Sequence, residues 1–414
     1  MKKRILKYIM AAIFALTAGG SAAQTPAAPA QTAAERADSV QWHFGLVTVA
    51  PGREVYQLEG HTALRIRNSA GLDLAINWGV FDFASPNFIY RFVKGETDYM
   101  AAAYPFVFFL QEYIMAGRRV EEQELNLTAE QSRRLMELVE ENLREENRTY
   151  RYNYVKDNCA TRPLALVERA AGMPIVLGGE EPEAGTTWRT EMTSYHARYP
   201  WYQFGIDLAL GAGIDRDITA RERTFAPVRL EHELEGACFV NPQGEKVPVI
   251  KGTAVLVEGP EEGVQDDATP WPLTPAATGV YLLTATLIIS WYDIRRRRIT
   301  RWFDTMLFGV QFLLGCLLTF LIFVSVHEAT SPNWLYLWLN PLSIIPAVGI
   351  WIKKCKRAVF WYQICNFAAL ILLLAAHRYF GQALNVAFPL FMASTMVRSG
   401  TEIYVLGGSL PRRG

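Results

Sequence analysis

Five long apolar stretches crowd the last third of the chain, and a water-soluble core has no use for so many consecutive segments almost free of charge. They cover 277–294, 305–326, 334–352, 358–376 and 383–397, each approaching the roughly 20 residues that carry a helix across the hydrocarbon of a bilayer. In hydrocarbon every backbone polar group needs a partner within the protein, so these stretches predict an all-α transmembrane bundle of about five helices. The first and fifth are short, which leaves four crossings as the other count. Basic residues follow alternate stretches: Arg295 to Arg298 after the first, Lys353, Lys354, Lys356 and Arg357 after the third, Arg398, Arg412 and Arg413 after the fifth. The positive-inside bias places those connections and the C-terminus in the cytoplasm, and everything before the first span outside.

The N-terminus points the same way. Lys2, Lys3, Arg4 and Lys7 precede a short apolar core, and Ser21-Ala22-Ala23 offers a small-residue cleavage site, so residues 1–23 read as a secretory signal peptide. An uncleaved anchor is the alternative. The Ala-, Pro- and Thr-rich stretch that follows, 24–40, is expected to be disordered. Together these features predict an inner-membrane protein with an exported domain over 41–257, a Pro-rich acidic linker over 258–276, the membrane domain over 277–397 and a cytoplasmic tail over 398–414. With 41 basic and 41 acidic residues the formal charge is zero, and no basic stripe interleaved with aromatics suggests nucleic acid as a partner.

The exported part mixes α and β signals. Residues 42–49 suit a strand ended by Pro51-Gly52, and 61–67 and 72–78 alternate as a hairpin around Ser69-Ala70-Gly71, with His61 near its open end and Asn77 and Trp78 opposite. Thr128 to Gln131 has the form of a capping box, and Leu135, Val139 and Leu143 mark one helical face behind it. Tyr150, Tyr152 and Tyr154 alternate as a strand running into Asp157-Asn158-Cys159, after which a helix starts near Thr161 or Arg162 and stops at Gly172.

A thiol at a helix start meets the positive end of the dipole and free backbone N–H groups, so the Cys159 thiolate is expected to be favoured. Of the four histidines in the exported part, His43, His61, His196 and His232, the best base is His61, at a strand end behind Gly60. Asn77 suits the place of its orienter by hairpin register, with Asp73 the runner-up if the turn is longer. Two plainer readings stand beside this: a disulfide between Cys159 and Cys238, and a buried inert thiol. The apolar run 105–110 is either core or a lipid-facing wall beside the site, and His327, Glu328 and His377 read as interfacial anchors or the lining of a lipid entry. No spacing of Cys, His and carboxylates suggests zinc, so neither metal nor cofactor is expected.

The segments Gly60-His61-Thr62-Ala63-Leu64-Arg65, Asn77-Trp78-Gly79-Val80-Phe81-Asp82-Phe83 and Asp157-Asn158-Cys159-Ala160-Thr161-Arg162, with Pro51-Gly52, Asn147-Arg148 and Tyr152-Asn153-Tyr154, are in order and spacing similar to the periplasmic domain of the Lnb-type lipoprotein N-acyltransferases. The C-terminal part resembles the membrane domain that accompanies it. His on a strand before Cys at a helix start also resembles the permuted papain-like group, including thiol acyltransferases of the lecithin retinol type. The resemblance implies an α+β, permuted papain-like exported domain with Cys159 as nucleophile, His61 as base, Asn77 or Asp73 as orienter, and substrate contacts from Asn158, Arg162 and Arg189. The implied partners are diacylglyceryl-modified lipoproteins or membrane lipids, and the implied product is a lyso-form lipoprotein acylated on its N-terminal amine. Two other classes remain open at this point: a membrane-anchored papain-like hydrolase of the cell envelope, and a non-enzymatic receptor or assembly module.

Overall fold

Alternation in the first strands sets the architecture. In the computed structural model, which describes residues 40–81 and 84–408, Trp42–Val49 (β1), His61–Asn68 (β2) and Asp73–Val80 (β3) are antiparallel neighbours. The signal peptide, the stretch after it except for residue 40, Asp82 and Phe83, and 409–414 of the expected tail lie outside the described residues. Asn68 closes the β2–β3 turn by accepting from the N–H groups of Ala70 and Leu72, with Gly71 in the left-handed region that the turn requires. The chain continues through Phe88–Lys94 (α1), Asp98–Pro105 (β4), Phe106–Ala116 (α2), Val120–Leu125 (β5), the capping-box helix Ala129–Leu143 (α3) and Thr149–Arg151 (β6). Then come Thr161–Ala171 (α4), Ile175–Val176 (β7), Trp188–His196 (α5), Pro200–Ala209 (α6), Ala220–Arg223 (α7), Pro227–Leu234 (α8), Cys238–Val240 (β8), Lys246–Pro248 (β9) and Ile250–Val257 (β10).

The main sheet is antiparallel in the order β10-β5-β1-β2-β3-β4-β6, so β2 is its middle strand; β7, β8 and β9 form a small second sheet. Period-two burial splits the core. Phe44, Leu46, Leu64, Ile66, Ile76 and Trp78 pack under α3 and α4, while Val47, Val49, Ala63 and Ala75 meet Phe106, Phe109 and Tyr113 of α2. Fully burying each of the larger aliphatic and phenylalanine side chains contributes about 1.5–3 kcal/mol. The run 105–110 therefore divides by helical face: Phe106 and Phe109 are core, whereas Val107 and Phe108 are exposed.

One strand is shorter than its alternation suggests. β6 ends at Arg151, and Asn153 and Asp157 pair with each other through both backbone groups. The Asn153 side chain accepts from the N–H groups of Val155 and Lys156, an Asx turn that competes with extension.

In the C-terminal part, Pro275–Arg296 (α9), Arg301–Phe323 (α10) and the helix containing Lys356–Ala376 (α12) are long and apolar enough to cross a membrane. The third stretch is not a continuous helix. It is a chain of short turns, Trp334–Leu337 and Pro341–Ser343, followed by Ile344–Gly349 (α11), because Asn333 and Asn340 cap each new turn and Pro341 and Pro346 lack an N–H. Broken backbone at this depth is tolerated where protein covers it, and Gly315 of α10 lies so close that a Cβ there would be 2.4 Å from the Asn340 carbonyl carbon.

The last helix, Phe388–Gly407 (α13), runs past the expected end at Val397. Arg398 is thus no flanking charge and 398–407 no tail. It is buried, donates to both Asp304 oxygens at 2.6 and 2.7 Å, to Asp293 at 2.9 Å and to Ser290 at 3.1 Å. A buried guanidinium needs such a partner set, and a sequence window cannot see that the partners lie on α9 and α10.

From Trp42 onward the chain forms one compact unit. Between the N-terminal domain and the bundle, Val326 N–H donates to Lys94 O at 2.9 Å, His327 Nε2 to Phe92 O at 2.8 Å, Gly211 N–H to Ala329 O at 2.8 Å and Asn333 Nδ2 to Leu208 O at 2.9 Å, while Lys156 pairs with Glu328. His327 and Glu328 therefore tie the two parts together.

Changing Arg398 to Met leaves two carboxylates buried without their cation and is expected to cost about 3–5 kcal/mol. Thermal unfolding in detergent should show the loss, and the triple change Arg398→Met, Asp293→Asn, Asp304→Asn should recover part of it.

Candidate active site

Gly60 positions His61. Its φ of +84° is left-handed, and a Cβ there would meet the Val49 carbonyl at 2.5 Å, so only glycine lets the chain enter β2 this close to β1. In the hairpin Ala63 faces Asn77, which puts His61 one diagonal step from Asn77 on the same face. His61 Nε2 lies 2.7 Å from Asn77 Oδ1. An amide oxygen only accepts, so Nε2 carries the proton and the Nδ1 lone pair is free to act as a base.

Asp73, the other candidate orienter, is excluded by the same register. It lies across from Arg67 at the turn end of the hairpin and is held by Arg65 at 2.8 and 2.7 Å. Arg65 also reaches Glu122 at 2.7 Å.

Cys159 sits on the entry turn of α4, whose regular helix begins at Thr161. Asn158 builds that turn. Its Nδ2 donates to the carbonyls of Tyr154 and Phe225, both at 2.8 Å, and its Oδ1 accepts from the N–H groups of Ala160 at 2.9 Å and Thr161 at 3.0 Å. Thr161 Oγ1 in turn accepts from Asn158 N–H at 2.9 Å. Every polar group of this amide is engaged within the protein, so Asn158 shapes the turn and its side chain has nothing left for a substrate.

The backbone N–H groups of Thr62, the neighbour of His61, and of Cys159 and Ala160 lie near enough to the Cys159 sulfur to favour its thiolate. Gly79, at φ +87°, opens the opposite side: a Cβ there would lie 3.3 Å from the Tyr152 ring and 4.0 Å from Cys159 Cβ. Thiol, imidazole and amide thus converge at one end of the β2–β3 hairpin.

The electrostatics differ from the helix-dipole expectation. Burial pushes the Cys159 thiol up to about 11, the backbone N–H groups only partly opposing it. Burial likewise pulls His61 from 6.5 down to about 4, against the Asn77 hydrogen bond and with help from the Arg118 charge. Desolvation outweighs the dipole, and the resting pair is a neutral thiol beside a neutral imidazole.

Arg162 and Arg189 are held by partners within the protein. Arg162 is bidentate to Asp157 at 2.7 and 2.6 Å and lies over the Tyr150 ring at 3.6 Å. Arg189 is buried and held by Asp207 at 2.9 Å, Asp215 at 2.7 Å and the carbonyls of Leu210 and Gly211 at 3.0 Å. Cys159 and Cys238 are both free thiols, so the disulfide reading is also excluded. Among the described residues no group of three or more His, Cys, Asp or Glu is arranged to hold a metal ion.

Two groups near the site are unmarked by any motif. Arg118 is buried, donates to Ala50 O at 2.8 Å and has one terminal nitrogen without a partner; among the described residues it enters no ion pair. Glu59, two residues before His61, is buried and bonded to Tyr154 and, at 2.7 Å, to His196 Nε2. The only signal for Glu59 was its position just before the Gly60-His61 segment; Arg118 had none, because only β-sheet pairing brings the end of α2 to His61.

Two pH effects follow. Peptide-resolved alkylation of Cys159 should accelerate steadily from neutral pH towards 11, whereas a preformed thiolate–imidazolium pair would give a flat profile from about pH 4. Because the folded-state value for His61 is depressed, its stabilising contribution is complete above 6.5 and is lost as pH falls towards 4. Equilibrium unfolding of His61→Gln should lack that acid slope.

In comparisons with known proteins, residues 29–190 match the family model of the Lnb N-terminal periplasmic domain, and 267–407 match that of the Lnb transmembrane domain. The first match contains His61, Asn77 and Cys159, the second contains α9 to α13, and 191–266 lies outside both. No curated protein and no solved structure matches the chain.

Proposed function

Because the chain belongs to the Lnb-type family, we propose that it is a membrane thiol acyltransferase that moves an acyl chain from the diacylglyceryl group of a lipoprotein to the α-amine of that lipoprotein's N-terminal cysteine. The observation that carries the reading is the neutral Cys159–His61–Asn77 arrangement in a desolvated site, on a domain hydrogen-bonded to a membrane bundle. On this reading the exported domain is permuted papain-like, with the base on a strand before the nucleophile at a helix start. The bundle lies in the inner membrane, its C-terminus in the cytoplasm, and α13 and the broken stretch 334–352 bring the crossings to five.

The chemistry has two halves. His61 Nδ1 takes the Cys159 proton as sulfur attacks the ester carbonyl, then returns it to the glyceryl alkoxide as the C–O bond breaks, leaving a thioester. The α-amine then attacks the thioester carbonyl; His61 accepts the amine proton and passes it to the departing Cys159 sulfur. Oxyanion charge in both steps falls to the backbone N–H groups of Thr62 and Cys159, with the partnerless Arg118 nitrogen as a further donor. Asn77 keeps Nε2 protonated and so leaves the Nδ1 lone pair for the thiol proton. Burial matters because water would hydrolyse the thioester, and exclusion of water favours transfer over hydrolysis.

Mass spectrometry of lipoprotein N-termini in cells whose only such activity is this chain provides the test. Intact protein should give N-acylated lyso-form product. Cys159→Ala should abolish it, His61→Gln should lower the rate by about 10²–10⁴-fold, and Asn77→Ala should lower it less. A mass shift of one acyl group on Cys159 should be trapped when the acceptor amine is blocked. Free fatty acid as the sole product would make the protein a hydrolase, and unchanged lipoproteins with intact protein would sink the reading.

A further inference from the structure

The bundle contains a cavity of about 490 Å³ between α9, α10 and α6. On α9 its wall is Thr278, Leu282, Ala285 and Ile289, a single face from 278 to 289 that extends about 17 Å at helical rise. That is close to the depth of one leaflet, half of a hydrocarbon core of roughly 30 Å. The α10 wall is equally apolar, Met306 and Val310 among it; of the polar exceptions, Thr278 Oγ1 donates to Thr274 O at 3.1 Å and Gln311 Nε2 to Thr395 Oγ1 at 2.8 Å, which leaves only Gln311 Oε1 without a partner. Cavities lined this way stay dry, and between membrane helices the available filling is hydrocarbon.

The roof is what separates this cavity from an ordinary lipid crevice. It is made by Trp201, Phe204 and Leu208 of α6, which belongs to the N-terminal domain rather than to the bundle. The opposite face of α6 presents Gln203 and Asp207, four residues apart. Gln203 Oε1 accepts from His196 Nδ1 at 2.8 Å, His196 Nε2 bonds Glu59 at 2.7 Å, and Glu59 stands beside the Gly60-His61 entry and within the field of the Cys159 thiol. Gln203 Nε2 donates to Asp207, which also binds Arg189 and, at 2.7 Å, Asn385 of the loop before α13. One helix therefore covers the hydrocarbon cavity with one face and is linked by the other, through His196, to Glu59 just before the strand of His61.

We propose that this cavity binds an acyl chain of the lipoprotein substrate, seating it under α6 so that its ester end is held for Cys159. The proposal rests on the acyltransferase reading above and adds where the chain is held and what sets its length. The cavity end near Ile289 and Trp302 limits how much chain can enter, so filling its middle should select for shorter chains.

The test uses the full-length protein in lipid nanodiscs and has two arms. In the first, lipoprotein substrates differing only in acyl length are compared for wild type, Ala285→Trp and Val310→Trp. Each Trp should lower the long-to-short ratio of kcat/KM by tenfold or more; an unchanged ratio in both overturns the proposal. Val310 lines the cavity from α10 and is partly exposed, so a Trp there is more easily accommodated and carries this arm if Ala285→Trp fails to fold in gel filtration. In the second arm, Cys159→Ala is irradiated with a lipoprotein bearing a diazirine near the chain end, and adducts are mapped. Labelling of Leu282 or Met306, reduced by Val310→Trp, supports the proposal. No cavity adduct overturns it, as does equal labelling by a diazirine phospholipid that excess lipoprotein does not displace, which marks a structural lipid. The labelling arm needs no turnover, so a wild type that makes no N-acylated product would sink the acyltransferase reading while the cavity is still decided on its own.

Discussion

Everything at the candidate site depends on the register of one hairpin. Ala63 opposite Asn77 puts His61 and Asn77 on one face, a diagonal step apart, within hydrogen-bonding reach. A slip of one residue would turn His61 to the α4 face and Leu64 and Ile66 out of their core. The apolar side of β2 therefore enforces the polar side. Because β2 is the middle strand of seven, both of its edges are locked by neighbours, and the Asn68-Gly71 turn leaves no spare residue for a shift.

Burial is the second constraint, and it decides which protonation states the site holds. A thiol at a helix entry is normally read as an incipient thiolate, but the dipole contributes about 0.3–1 kcal/mol in most settings while desolvation of a buried group moves a pKa by units. Here the larger effect wins for both partners, since Cys159 goes up and His61 goes down. A neutral pair costs nothing to keep in a dry cleft, and charge appears only when an electrophile is present to receive it. On the proposed acyl transfer, such a site would shelter a thioester from water until an amine arrives.

Much of this was legible in the residues, and the failures share a cause. Strands β1 to β3, the capping box at Thr128 and the helix stop at Gly172 are local signals, and each stands where its pattern put it. Asn77 over Asp73 was also a local matter, decided by turn length. The three residues expected to contact substrate, Asn158, Arg162 and Arg189, have partners within the protein that the sequence did not show, because an arginine or an asparagine in a motif says nothing of which carboxylate or carbonyl the fold will bring to it. Asp215 claims Arg189 across 26 residues, and the Phe225 carbonyl claims Asn158 across 67. Arg398 failed in the same way on a larger scale. Its partners Asp293 and Asp304 lie more than 90 residues earlier, and without them a basic residue after an apolar run reads as the end of a span.

The two halves of the chain are coupled by more than a linker. Polar residues inside a hydrocarbon-facing bundle are retained only where they have partners, and here they occur at two levels. At one end of the bundle Arg398 joins α13 to α9 and α10, so those helices cannot slide independently without breaking a buried ion pair. At the other end, where Asn385 precedes α13, Asp207 accepts from Asn385 as well as from Gln203 and Arg189. The α13 helix therefore lies between a fixed ionic anchor and a hydrogen-bonded path that runs through α6 and His196 to Glu59. A displacement of α9 or α10 large enough to admit a lipid chain must be taken up along that path or break it. The second outcome leaves buried polar groups unpaired, at about 1–3 kcal/mol each. If an acyl chain occupies the bundle as proposed, its seating and the alignment of β2 are for that reason energetically linked.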